Sequence, residues 1–311
     1  MRGERERACL DTILKSVFYD KDGNLRKDLE GKSYQEVSED QFLKKYALYS
    51  DIDIRFIFGL TQEDYIEVLN ILRKAKENEA ASKFPDFVFD NGFIEHFQIS
   101  SSRETKKGAE QLKKEKEFER ESRQKQQEFI KMCEAEPSFD TVRSCSSSME
   151  LPPHDYQYLT ESVKSNFEHH LKSLEKYTGN KEIGIFLIES SELAVNMVEN
   201  IYKDWKSGIS PGDLRKPQYF SCYRLSRDKK LLNYFYGFKS KLKYIFYCYT
   251  DYEQDEHQKD FGFFSGKPVK KYEIIKVENI PYLIKLLPWD FIVVPLWGKI
   301  VSSTYNISSK G

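Results

Sequence analysis

Apolar Leu10, Ile13, Leu14, Val17 and Phe18 recur at helical spacing between Arg5 and Phe18, which predicts a short amphipathic helix, and the polar YDKDGN run after it reads as a loop. Asp51 to Gly59 (DIDIRFIFG) is strand-like. Thr61, followed by Gln62, Glu63 and Asp64, is a helix start, with Tyr65, Ile66, Leu69 and Leu72 as its buried stripe. Two aromatic, strand-like runs follow, FPDFVFD and FIEHFQIS, on either side of Asn91-Gly92. That dipeptide favours the positive φ angles of a two-residue hairpin turn. The pattern predicts a hairpin in which Asp90 faces Phe93, Val88 faces Glu95 and Asp86 faces Phe97.

From Arg103 to Glu136 the chain is charged nearly all round, with sparse apolar residues such as Leu112, Phe118, Phe129 and Met132, so a largely solvated helix is expected. Pro137 to Asp155 is rich in Ser and Pro, has no period and reads as a loop or linker. Thr160 to Tyr177 carries Val163, Phe167, Leu171 and Leu174 on one helical face, with Gly179 placed to end it. Glu182 to Glu189 (EIGIFLIE) is a continuous apolar run, the mark of a central strand covered on both faces. A helix is predicted from about Glu192 to Trp205, with a boundary at Pro211-Gly212. The last hundred residues, rich in Tyr and Phe, read as strands in YFSCYRL, LLNYFYGFKSKLKYIFYCYTDY and DFIVVPLWGKIVSSTYNI. Pro295 breaks the last of these, which points to an edge position or a bulge. Together these elements predict an α/β fold. A mixed central sheet flanked by helices spans residues 1–206, with a long charged helical insertion over about 103–179. Residues 207–311 form an aromatic-rich β-containing region, part of the same domain or a second one.

Composition narrows the function classes. The 311 residues hold 49 basic and 50 acidic side chains, a net charge of -1, so any nucleic-acid surface is a local patch rather than a global field. Charged residues at 32% and aromatics at 14% describe a polar surface over aromatic cores, which argues against disorder. Cys9, Cys133, Cys145, Cys222 and Cys248 lie far apart without a CxxC or Cys/His cluster, which suggests a reducing, cytoplasmic setting. No apolar run approaches the roughly 20 residues that span a bilayer, and the N-terminus lacks an apolar signal core, so neither export nor a membrane partner is expected.

The candidate chemistry lies in the hairpin. Carboxylates are costly to bury among aromatics, yet the predicted register sets Asp86 and Glu95 as diagonal neighbours on one face with Val88, Phe93, Phe97 and Ile99. Two such groups either share a proton or neutralise each other on a hard divalent metal such as Mg²⁺, which can promote phosphodiester hydrolysis. Pro85-Asp86, then eight residues, then Glu95 on the next strand, with a basic helix after it, resembles the PD-(D/E)xK superfamily of restriction-endonuclease-like nucleases. The α-β-β-β-α-β order between Ile52 and Trp205 looks like its core.

The resemblance implies that Asp86 and Glu95 are ligands for Mg²⁺ or Mn²⁺, that the substrate is nucleic acid, with DNA preferred over RNA, and that the setting is prokaryotic antiviral defence or restriction. The superfamily's lysine belongs two residues after the glutamate, where this chain has Phe97. Lys106 or Lys107, at the start of the following helix, would then orient the attacking water. Gln98 points to the opposite face, and Glu63 or Glu67 could add a carboxylate. Lys113 and Lys114 on the charged helix, and Lys229, Lys230, Lys239 and Lys241 among the aromatics of residues 227–244, are the candidate nucleic-acid contacts. The bland readings stay open beside these: edge-strand polar residues, a solvated helix, and aromatics that build a core. The competing function is a non-catalytic scaffold with a degenerate nuclease fold that oligomerises, or binds a protein partner, through the charged helix. His96 reads as a hydrogen-bonded structural histidine. His154, His257 and the His169-His170 pair form no constellation.

Overall fold

Every residue of Ile183–Ser190 is buried, as a strand covered on both faces requires. This strand, β5, is central to the computed structural model, which describes residues 4–14, 62–79, 84–102, 108–135, 141–150, 153–190, 195–202, 214–220, 222–252, 268–281, 284, 289–295 and 298–307. The expected strand over Asp51 to Gly59, the helix-start residue Thr61 and the loop after Phe18 lie outside the described residues.

A six-stranded mixed sheet runs in the order β1 (Lys76–Glu77), β2 (Phe87–Phe89), β3 (Gly92–Ile99), β5, β8 (Tyr244–Tyr252) and β9 (Pro268–Lys276). Strands β3, β5 and β8 are parallel to one another, while β1, β2 and β9 pair antiparallel at the two sides. Helices cover both faces. Against one face lie α1 (Glu4–Ile13) and α2 (Gln62–Lys74), whose Leu10, Ile13, Val68 and Leu72 meet Ile94, Ile185, Leu187 and Phe246. Against the other lies α4 (Tyr156–Lys176), whose Val163, Phe167, Leu171 and Leu174 pack on Phe93, Phe97, Phe186 and Ile188. This is the α/β architecture expected from the alternation of apolar runs, with α4 carrying the buried stripe read from the sequence.

Between β3 and α4 the chain makes a long excursion that closes on itself. Ser102 bridges to His154, Asp155 N donates to Ser101 O at 2.9 Å, and Ser101 Oγ lies 2.8 Å from His154 Nδ1. The excursion contains the 28-residue helix α3 (Gly108–Ala135) and strand β4 (Thr141–Glu150). Pro137 to Asp155 is therefore not simply a loop. β4 forms an antiparallel ribbon with β11 (Gly298–Ile307), and a ribbon held by backbone pairing to a distant segment needs no apolar period.

Three further expectations fail, the first in YFSCYRL, where the strand ends at Phe220 and Leu225–Arg227 is a 3-10 turn. The segment predicted as a helix from Glu192 is strand β6 (Val195–Tyr202), held between β10 (Trp289–Pro295) and β7 (Leu214–Phe220). Its apolar residues fit both periods, and tertiary pairing decides between them. The LLNYFY run, predicted as strand, is helix α5 (Lys229–Tyr236), capped by Asp228, whose carboxylate accepts from Lys230 N at 2.9 Å and Leu231 N at 3.0 Å. The edge reading of Pro295 holds, since β10 is an outer strand of its three-stranded sheet and ends there.

The hairpin forms, but its register differs by two residues from the expected one. Val88 pairs with Phe93 and Phe89 with Gly92, so the turn residues are Asp90 and Asn91. Gly92 is the first residue of β3, where a Cβ would stand 2.0 Å from Ile183 O. Glycine serves here for the close approach of β5 rather than for a turn. Gly92→Ala should lower stability by about 1–3 kcal/mol, measured by urea unfolding. An unchanged midpoint would contradict this packing.

Candidate functional site

The register of the hairpin decides what its carboxylates meet. Phe87 pairs with Ile94, so one further step sets Asp86 directly across from Glu95 rather than diagonally. Each carboxylate accepts from the opposite strand's backbone: Asp86 N donates to Glu95 Oε2 at 3.0 Å, and His96 N donates to Asp86 Oδ2 at 2.8 Å. Both groups are removed from water, Glu95 being 6% exposed and Asp86 half-buried. Burial raises both pKa values. Contact with His170 draws that of Glu95 back, the Asp86 charge raises it further, and the His96 amide lowers that of Asp86.

A third group joins them. His170 lies three residues after Phe167 on α4, at the flank of the buried stripe, and its Nδ1 is 2.6 Å from Glu95 Oε1. Phe97, in the position where the resemblance calls for lysine, stacks flat on this imidazole with ring centroids 4.9 Å apart and planes at 12°. The His169-His170 pair, read as forming no constellation, thus contributes a partner to the carboxylate site. Its signal was its place beside Phe167 on the helix, but Glu95 as partner was not visible without the fold.

The lysines proposed from the sequence are placed as follows. Lys106 and Lys107 lie outside the described residues. Lys113 and Lys114 are exposed on α3. Lys229 and Lys230 begin α5, Lys239 donates to the Tyr236 hydroxyl at 2.9 Å, and Lys241 pairs with Glu175 at 2.9 Å. The aromatics among them build core, with Phe235 and Phe238 against Phe167 at 5.0 and 5.1 Å. Glu67 does not approach the carboxylate pair; it holds Lys243 at 2.6 Å and accepts from the Tyr244 hydroxyl. The side chain of Glu63 lies outside the described residues.

The opposite face of β3 carries a second polar cluster, which sequence reading missed because its members stand far apart in the chain. Gln98, Glu189 and Cys248 are ladder partners across β3, β5 and β8, and His96 is two residues before Gln98. His96 Nε2 lies 3.1 Å from Glu189 Oε2, to which Arg5 Nε also donates at 2.9 Å, while Lys270 Nζ reaches Oε1 at 2.9 Å. Gln98, oriented with its amide oxygen toward Arg5, accepts from its Nη1 at 2.7 Å. Cys9 Sγ is 3.9 Å from Cys248 Sγ. The ligand atoms of Cys9, His96 and Glu189, all buried, lie within 4.8 Å of one another, so this group could hold a metal ion. The reading of His96 as a hydrogen-bonded histidine holds.

Burial opposes charge on Glu189, but His96, Arg5 and Lys270 together hold its carboxyl far below the usual range. Burial likewise opposes charge on His96, yet its bonds to Cys9 and Glu189 raise it to about 9. The bond to Cys248 and burial hold Cys9 as a thiol, so Glu189 is the anion that sustains the imidazolium. A raised histidine stabilises the fold fully below its ordinary value of 6.5 and loses that contribution as pH climbs through about 9. With metal removed by a chelator, the denaturation midpoint should fall across this window, and Glu189→Gln should flatten the fall. A flat wild-type profile would contradict the pairing.

Among the described residues no helix is long and apolar enough to cross a membrane. No family model, curated protein or solved structure matches the chain, so a functional reading rests on the geometry of these two clusters.

Proposed function

We propose that the protein is a divalent-metal-dependent nuclease, with DNA as the favoured substrate, in which Asp86 and Glu95 are ligands for Mg²⁺ or Mn²⁺. The observation that carries this reading is the convergence of two carboxylates from adjacent strands, both made reluctant to ionise by burial. A divalent cation relieves that cost, and carboxylate oxygens are the donors that Mg²⁺ takes. When bound, it stabilises charge on a phosphoryl oxygen and lowers the pKa of a bound water. With α3 and β4 set aside as an insertion between β3 and α4, the element order α2-β1-β2-β3-α4-β5, with an antiparallel β1-β2-β3 and β5 parallel to β3, supports a restriction-endonuclease-like core, since it repeats the order that the resemblance implies.

In this reading the chain's own residues have distinct duties. The amides of Asp86 and His96 fix the two carboxylates. His170, steadied by Phe97, holds one Glu95 oxygen and leaves the carboxylate oriented. Lys106 or Lys107 takes the role of water-orienting group that Phe97 cannot fill, accepting no proton itself while charged but directing the nucleophile's lone pair to phosphorus. Antiviral defence or restriction is the setting such an activity would suit.

One feature favours a second reading, a scaffold that binds a partner or a second copy. Helix α3 is exposed along most of its length and presents Ile130 and Met132, 37% and 60% exposed, to solvent. The amide bonds of Asp86 and Glu95 would then be purely structural.

Cleavage of plasmid and single-stranded DNA should require Mg²⁺ or Mn²⁺ and be abolished by Asp86→Ala or Glu95→Ala in folded protein. His170→Ala should weaken Mg²⁺ activation by about 10-fold, as loss of a group orienting a ligand does. Metal-independent cutting, or full activity in either carboxylate variant, would overturn the nuclease reading, and absence of cutting would favour the scaffold.

A further inference from the structure

On the face of the sheet remote from Glu95, we infer that Cys9, Cys248, His96 and Glu189 form a structural site for Zn²⁺ that clamps helix α1 to the central strands. The inference is independent of the nuclease reading. Three of these residues already converge, with ligand atoms within 4.8 Å of one another, and all three are buried. The fourth is set by the distance between the two sulfurs. Two thiolates on a tetrahedral zinc, each at ~2.3 Å, stand about 3.8 Å apart, and Cys9 Sγ and Cys248 Sγ are 3.9 Å apart. Cys248 is also the ladder partner of Glu189, which places their side chains on one face of neighbouring strands.

Charge explains the surroundings. Two thiolates and one carboxylate around a divalent ion leave a single net negative charge. Arg5 and Lys270, which pair with Glu189 at 2.9 Å, more than offset it. Cations that would repel a bare metal ion are therefore suited to this anionic centre, and as hydrogen-bond donors to a ligating carboxylate they would orient it. In the absence of metal His96 Nε2 donates to Glu189 Oε2 at 3.1 Å. Zinc binding would displace that proton and those of the two thiols to solvent.

The donor set also argues for zinc rather than Mg²⁺. Thiolate and imidazole suit a borderline-soft ion, whereas Mg²⁺ prefers oxygen. Four protein ligands that together fill a tetrahedral shell are the mark of a structural rather than a catalytic site.

Titration of the full chain with Co²⁺, a spectroscopic probe for zinc, should produce a thiolate-to-cobalt charge-transfer band that saturates at one ion per chain and disappears when Zn²⁺ is added. Cys9→Ser should weaken the cobalt binding read from this band at least ~10-fold, and Asp86→Ala should leave the band unchanged. Because a cysteine variant could misfold, alkylation of the wild type in intermediate urea, where opening of the fold exposes buried thiols, provides a second readout: Zn²⁺ should protect Cys9 and Cys248, both buried, from iodoacetamide and leave Cys145 reactive. No charge-transfer band, or equal alkylation of Cys9 and Cys248 with and without Zn²⁺, would overturn the site.

Discussion

The lateral placement of β3 between β2 and β5 governs where both polar clusters form. Seven of its eight residues are buried, yet Glu95 and His96 are adjacent in it and must point to opposite faces. A slip of one residue would exchange them, sending His96 toward α4 and Glu95 toward α1 and α2. The close backbone approach at Gly92 and the eight-pair parallel ladder from Gly92↔Ile183 to Ile99↔Ser190 fix the register. Two polar clusters consequently stand back to back, separated by the thickness of one sheet.

The clusters solve the cost of buried charge in opposite ways. Glu189 is ionised because Arg5, Lys270 and His96 surround it, and burial is outweighed. Asp86 and Glu95 receive mainly backbone amides and one imidazole, and burial dominates, so both resist ionisation. A cation gains far more from the second arrangement when its ligands are hard oxygens, and from the first when thiols contribute. This asymmetry is the physical basis for assigning different metals to the two faces.

The sequence made parts of this legible and hid others for identifiable reasons. The stripe Val163, Phe167, Leu171 and Leu174 announced α4, and the unbroken apolar run at Ile183 announced the central strand, because burial on one or both faces writes a period directly into the chain. Asp86 and Glu95 were recognisable as neighbours on one face, since strand alternation is local. Their direct opposition was not, because Gly92 was read as a turn residue when it answers to a strand almost a hundred positions away. β6 and α5 were misread where aromatic and branched residues fit both periods and pairing partners, or a cap at Asp228, decided the outcome. The role of His170, and the meeting of Cys9, His96, Glu189 and Cys248, depend on the packing of separate elements and leave no local trace.

The central claim is that Asp86 and Glu95 together hold a divalent ion. Anomalous diffraction from crystals soaked in Mn²⁺ tests it most directly. The account predicts a peak between the two side chains, about 2.1 Å from a carboxylate oxygen of each. A map with no peak there, in which both carboxylates keep their bonds to the amides of Asp86 and His96 alone, would contradict it.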